Sequence, residues 1–442
     1  YHLYGALARK DEAEIASLMN LYRKAYHVFA VLVFAAGMAV LPFIHLFMKN
    51  NSYSLSYIRV LYAMWLVRTV LSYLLTYRKS LLIADQKEYI ASITGLILNV
   101  VSYLAIILLV TWEQNYLLAL GIGTVTEVVL NIWISWYVEQ KYPFLRQRRK
   151  EKSTSSLTKR IVRDLKSLFI SRISEKMLYC TDNLIISGFI GVGTVGRYAN
   201  YCMITQAISN ILTILANTIQ PTVGDYFTEK NRQRNYEILR QLTFGFFCIA
   251  SVVSVGLFSL ITPFVRDIWL GPSYELGWGI TVFCIVVLLV RIMGLPLSLV
   301  MGVTGLFEKE KNVGASSALL NLIVSLALVK PYGMAGVLLG TLLSYLLQIL
   351  YRYIIYFRDF LEMPGEALRY AQDIGEYLAV IAGEVLLMQK IVPLIYGAGG
   401  MLLFCVCFLL CIAIPLLLDL VIFGRGWRLQ SIVTMVKGMR KA

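Results

Sequence analysis

Charge is what this sequence has least of. Only 15% of its 442 residues are Asp, Glu, Lys or Arg, against about a quarter in a soluble domain. Its three histidines, His2, His27 and His45, are scattered and make no ligand set. The seven cysteines all lie in apolar stretches. Cys405 and Cys407 are two positions apart, which on a helix turns them away from each other. No metal site is expected. There is no GxSxG, no phosphate loop ending in Lys-Ser or Lys-Thr, no HExxH and no Cys-x-x-Cys. Each of those motifs positions a nucleophile, a phosphate or a metal, so the reaction classes built on them have no foothold here. The expectation is a protein that is not an enzyme and carries no cofactor. Strict two-residue alternation of polarity is missing too, which excludes a transmembrane β-barrel.

Apolar residues are abundant instead: 58% of the chain, with a mean hydropathy of +0.68. They fall into stretches long enough to cross a bilayer as helices. Twelve spans are predicted, near 26–48, 58–77, 90–112, 116–138, 167–190, 198–219, 242–264, 278–303, 313–331, 333–357, 373–396 and 400–423. The fold class is therefore all-α, polytopic and membrane-integral. The net charge of +15 has a topological explanation. Roughly thirty of the Lys and Arg residues sit in alternate connections, which orients those connections and both ends of this chain to the cytoplasm. Nucleic acid is not needed to account for them.

The chain also echoes itself. Leu66-Val67-Arg68 recurs as Leu289-Val290-Arg291, Leu98-Asn99 as Leu320-Asn321, and Gly123-Thr124 as Gly340-Thr341. Pro42-Phe43 matches Pro263-Phe264, and every offset is close to about 220 residues. An even number of spans per repeat implies two bundles related by a pseudo-twofold along the membrane normal. The expected organisation is an N-terminal lobe over 1–138 and a basic amphipathic linker over 139–166. A C-terminal lobe follows over 167–358, then two additional helices with a basic tail over 359–442. Two spans precede Asp225–Arg240 in the second unit, and none precedes the matching Tyr1–Lys24. The expectation is that two helices of a fourteen-helix fold are missing ahead of residue 1.

Charges inside spans are costly and point to function. In 167–190, Arg172, Glu175, Lys176, Tyr179, Asp182, Asn183 and Ser187 recur at three- and four-residue steps and are predicted to share one face. Leu178, Leu184, Ile185 and Phe189 fall on the other. Asn200, Gln206, Asn210, Thr213, Asn217 and Gln220 make a polar stripe along the next span. Together the stripes suggest a wet path, although polar residues between membrane helices also act as hydrogen-bond glue. Arg68 and Arg291 occupy matching mid-span places and suit one anionic ligand between the bundles, or an acid within each bundle. Glu127 and Glu384 are lone mid-span acids, paired, protonated or ion-coupling. Gly294 and Pro296 are expected to break the span that carries Arg291. Gly188–Gly196 reads as a turn between spans.

Thr181–Tyr201 (TDNLIISGFIGVGTVGRYANY), Leu3–Tyr26 and Ile219–Phe227 resemble the signatures of bacterial polysaccharide repeat-unit flippases. These O-antigen-type proteins belong to the multidrug/oligosaccharidyl-lipid/polysaccharide exporter superfamily. The resemblance implies two six-helix lobes forming a V, with two added helices; the twelve spans would be helices three to fourteen. It implies alternating access that carries an undecaprenyl-pyrophosphate-linked oligosaccharide outward across the cytoplasmic membrane. The substrate residues expected are then Arg68, Arg172, Glu175, Lys176, Asp182, Asn183, Gln206, Asn210, Asn217 and Arg291, with Asp182 or Glu127 as ion-coupling acids. H+ or Na+, membrane lipids, and a glycan polymerase or glycosyltransferases are the expected partners. A multidrug cation antiporter of the same superfamily and a non-transporting scaffold for glycan assembly are the alternatives.

Overall fold

The computed structural model describes residues 2–49, 53–113, 115–146, 180–227, 231–306, 311–397 and 399–424. Among them the regular structure is helical, with no strand. Eleven helices are long and apolar enough to cross a membrane. Eleven of the twelve predicted spans are among them, and the twelfth, 167–190, is described only from residue 180. The chain is a multi-pass membrane protein. Its packing divides into two units, 1–47 with 52–167, and 48–51 with 168–442.

In the first unit α1 (His2–Ala8) leads into α2 (Glu12–Val40). Asp11 caps α2 by accepting from the Glu14 N–H at 2.9 Å, while its own N–H donates to the Ala6 carbonyl at 3.1 Å. α3 (Leu55–Thr76) is capped by Ser54, and the short α4 (Lys79–Ala84) follows. α5 (Glu88–Glu113) and α6 (Tyr116–Lys141), the latter capped by Asn115, complete the unit. α2 packs on α3, α3 on α6, and α6 on α5. The main core cluster lies at one end, where Leu18, Leu81, Leu82, Ile134 and Val138 are buried beneath α1. Away from it only scattered residues such as Ile58 and Leu120 are buried, and much of the apolar surface is open, with Leu108 70% and Trp112 88% exposed. Side chains of that kind are stable only against lipid or another apolar surface.

The second unit opens with α7 (residues 180–189) and α8 (Val192–Tyr226), joined through Gly191 at φ 141°. This is the turn predicted within Gly188–Gly196. α9 (Arg232–Pro263) is its centre and packs on α10 (Trp278–Val303), α13 (Pro364–Tyr396) and α14 (Met401–Phe423). α11 (Lys311–Tyr332) and α12 (Met334–Ile355) make the most intimate pair. A Cβ at Gly336 would stand 2.3 Å from the Leu328 carbonyl, and one at Gly340 would stand 2.4 Å from Ser325 Oγ. Only glycine admits such backbone approach between membrane helices.

The expected break at Gly294 and Pro296 is absent: α10 runs unbroken through both. Gly294 instead leaves room for the Ile349 side chain, which would sit 2.9 Å from an added Cβ. The departures from α-helix lie at span ends. Leu41–Phe47 is a 3-10 turn, whereas Phe264–Trp269 and Tyr356–Leu361 are π-helical turns.

Candidate functional site

Asp182, on α7, is 4% exposed and has no cation against it among the described residues. Its carboxylate is met by hydrogen-bond donors from two other helices. Thr341 of α12 donates to Oδ2 at 2.6 Å, and Asn321 Nδ2 of α11 approaches Oδ1 at 3.4 Å. Asn321 Nδ2 also donates to Thr341 Oγ1 at 2.9 Å, while Thr181 donates to Asn321 Oδ1 at 3.1 Å. Four polar side chains thus close a network, with the buried Ser317, Ser325 and Ser344 about one helical turn away on α11 and α12. A buried carboxylate so placed holds its charge only with donors or a cation beside it.

The shared polar face predicted for α7 is corrected by this arrangement. Asp182 turns inward together with Ile185 and Ile186, while Asn183 is exposed beside Leu184 and Phe189. The physical reason is phase. Successive residues step about 100° around a helix, so Asp182 and Asn183 cannot both face one narrow slot. Arg172, Glu175 and Lys176 lie outside the described residues.

On α8, Gln206 Nε2 donates to Asn210 Oδ1 at 2.9 Å, one turn away. Asn210, Thr213 and Asn217 are exposed rather than packed. The predicted stripe is therefore an accessible polar surface of the second unit.

In the first unit Arg68 Nε donates to Glu127 Oε2 at 2.6 Å, and its guanidinium stands 5.1 Å from the Trp65 ring centroid. The pair is about one-third exposed, at 29% and 32%. Of the alternatives for this arginine, pairing within its own bundle is the one seen. Asn131 Nδ2 donates to the Glu127 carbonyl at 2.9 Å, and Thr76 donates to Asn131 Oδ1 at 3.0 Å. Arg291 lies 5.5 Å from the Tyr345 ring centroid, in the second unit.

Basic residues that topology alone explains also gather at one place. Arg23 and Lys24 of α2 and Arg78 beyond α3 line an open cavity of about 870 Å³, together with His27, Tyr77, Trp136 and Glu139. Arg78 Nη2 pairs with Glu139 at 2.5 Å. Each of these residues was visible in the sequence, but not that the middle of α2 meets the end of α3.

Residues 5–227 match the profile of a family described as polysaccharide biosynthesis protein. The chain belongs to that family. The match takes in the first unit, α7 and α8, and so includes Arg68, Glu127, the basic cavity and Asp182. No curated protein sequence matches the chain significantly. Among solved structures, this polysaccharide biosynthesis protein is similar in fold to "Lipid II flippase MurJ, inward closed conformation". The TM-score is 0.64 at 15% identity, over 96% of this chain and 89% of that one.

Proposed function

We propose that this protein is a flippase moving a polyprenyl-pyrophosphate-linked oligosaccharide repeat unit outward across the bacterial cytoplasmic membrane, with both ends of this chain cytoplasmic. The observation that carries this is a polysaccharide-biosynthesis chain built on a fold it shares with a solved lipid flippase. The work needs no covalent chemistry and no cofactor. It needs an amphiphile with a doubly anionic neck to be received, sheltered and released.

The basic cavity of Arg23, Lys24, His27 and Arg78 suits a pyrophosphate headgroup. Arg68, Arg291, Arg172 and Lys176 are proposed to guide that group across the membrane. Arg68 would exchange Glu127 for phosphate oxygens when substrate arrives. Glu175, Asn183, Gln206, Asn210 and Asn217 supply polar contacts for sugars. Alternating access is proposed as the motion, with Asp182 as the acid that couples it to H+ or Na+. Its support is the closed network with Asn321 and Thr341, which has spare oxygen lone pairs and, among the described residues, no fixed positive charge. Glu127 is the weaker coupling candidate because Arg68 already engages it.

The test is complementation in a host lacking its own copy of the protein. The wild-type chain should restore surface polymer. An Arg23→Glu/Lys24→Glu variant should reach the membrane at normal level, export less than a tenth as much polymer, and leave repeat-unit lipid in the inner leaflet. Normal export by that variant would count against the cationic cavity. Resistance to cationic drugs without any polymer export would favour the antiporter instead.

A further inference from the structure

Two carboxyl groups on the last two helices take no part in the route proposed above. Glu384 of α13 and Asp419 of α14 are each 3% exposed. They face the central helix α9 at Ser251, which is itself fully buried. Ser251 Oγ donates to Glu384 Oε2 at 2.6 Å. A serine hydroxyl has one proton to give, so although Ser251 also approaches Asp419 it has none left for it. Among the described residues, Glu384 Oε1 and both Asp419 carboxyl oxygens have no hydrogen-bond partner.

The helix directions bring these oxygens towards one another. Helical side chains lean towards the N-terminus of their own helix. α13 and α14 run antiparallel through a tight connection with Gly399 and Gly400 at positive φ. Glu384 and Asp419 therefore lean from opposite directions into the same level of the interface.

The other titratable group beside them is Cys248 on α9. No Lys, Arg or His side chain of these helices pairs with either acid among the described residues. The cation on this interface is Arg240, eleven residues before Ser251 and roughly 16 Å along the helix. It is committed to Asp373 by two bonds, at 2.6 and 3.0 Å. An aromatic layer lies between. Phe247 stacks on Tyr377 at 4.4 Å, and Phe423 meets both edge-on at 5.5 and 5.7 Å. Those rings stand between the two acids and Arg240.

We propose that Glu384 and Asp419 form an intramembrane proton-binding site, both carboxyls carrying a proton at neutral pH on the oxygens left without partners. Ionising either would place a charge with no counter-ion and too few donors at the junction of three helices. Proton occupancy therefore holds α13 and α14 against α9. The site does not depend on the transport function proposed above.

The test is infrared absorption of protonated carboxyl groups, with the whole chain in lipid nanodiscs at neutral pH. Against wild type, Glu384→Gln and Asp419→Asn should each remove the absorption of one protonated carboxyl, and the double variant that of two. Both replacements keep nearly the same shape and stay neutral, so folding should survive. In wild type, which needs no variant to fold, alkali should erase the same absorption and added sodium at constant pH should not. Identical spectra for wild type and double variant would overturn the proposal. So would loss of the wild-type band on adding sodium, because the occupant would then be a metal cation.

Discussion

Asn99 and Thr124 in the first unit echo Asn321 and Thr341 in the second, yet the two pairs live differently. Thr341 donates to a buried acid and receives from Asn321. Among the described residues Thr124 bonds to the Leu120 carbonyl of its own helix at 2.8 Å and to no other helix, and Asn99 is exposed. The difference is α7. It brings Asp182 to the second pair, and among the described residues no helix brings an acid to the first. A repeated residue is thus an available partner, and its role is decided by what the fold carries to it. Arg68 and Arg291 teach the same thing: one is bonded to Glu127, the other lies against Tyr345.

The sharpest way to break this comparison is to remove the same hydroxyl twice. Thr341→Val should strip Asp182 of its shortest bond and cost about 1–3 kcal/mol, the range for orphaning a buried polar group. Thr124→Val should cost well under that, since its hydroxyl serves only its own backbone. Melting of the two variants in detergent would show it, and equal losses would undo the contrast.

The matching glycines give the next largest effect. Gly340→Ala forces a methyl into Ser325 and the Asn321 carbonyl, with about 1–3 kcal/mol expected for overpacking. At Gly123 the first atom met is Arg68 Nη1 at 3.2 Å, the end of a flexible side chain. Gly123→Ala should therefore be nearly silent in stability. It should nonetheless displace the guanidinium and lower polymer export, which separates a packing glycine from one beside the proposed substrate path.

Smaller still is the Arg68–Glu127 pair. A double-mutant cycle of Arg68→Ala and Glu127→Ala should give a coupling under about 1 kcal/mol, because both groups are partly solvated. Export should fall with Arg68→Ala far more than stability does.

The least effect belongs to Asp85, after α4, which Lys87 and Tyr142 both hydrogen-bond. Burial alone would raise its carboxyl, but those two bonds outweigh burial and hold it below the ordinary carboxylate range. The same bond raises the Lys87 ammonium. A lowered carboxylate stabilises the fold above its unfolded value near 3.8 and stops doing so as pH falls through the lower folded value. Wild type should lose under about 1 kcal/mol on that acid limb, and Asp85→Asn should flatten it. A limb of the same height in the variant would assign it to other groups.

Hydropathy made the spans legible because lipid-facing surface must be apolar along its whole length. Partners were another matter. Asp182 and Thr341 are 159 residues apart, and Ser251 and Glu384 are 133 apart, so periodicity within one helix could not join them. Asn321 and Thr341 were noticed only as repeat markers. Asp419 escaped notice in the last and most uniformly apolar span, where a single acid breaks no pattern. Arg23, Lys24 and Arg78 were visible but had a sufficient explanation in topology, which concealed the cavity they line.

The Pro-Phe dipeptides at 42–43 and 263–264 begin span endings of opposite winding. The first tightens into a 3-10 turn over Leu41–Phe47, and the second slackens into a π turn over Phe264–Trp269. Three residues complete a revolution in the tight form, and more than the usual 3.6 in the slack one. Over six residues the two strings lose step with each other by more than half a revolution. Each connecting segment therefore departs on a different compass bearing from an almost identical pair of letters.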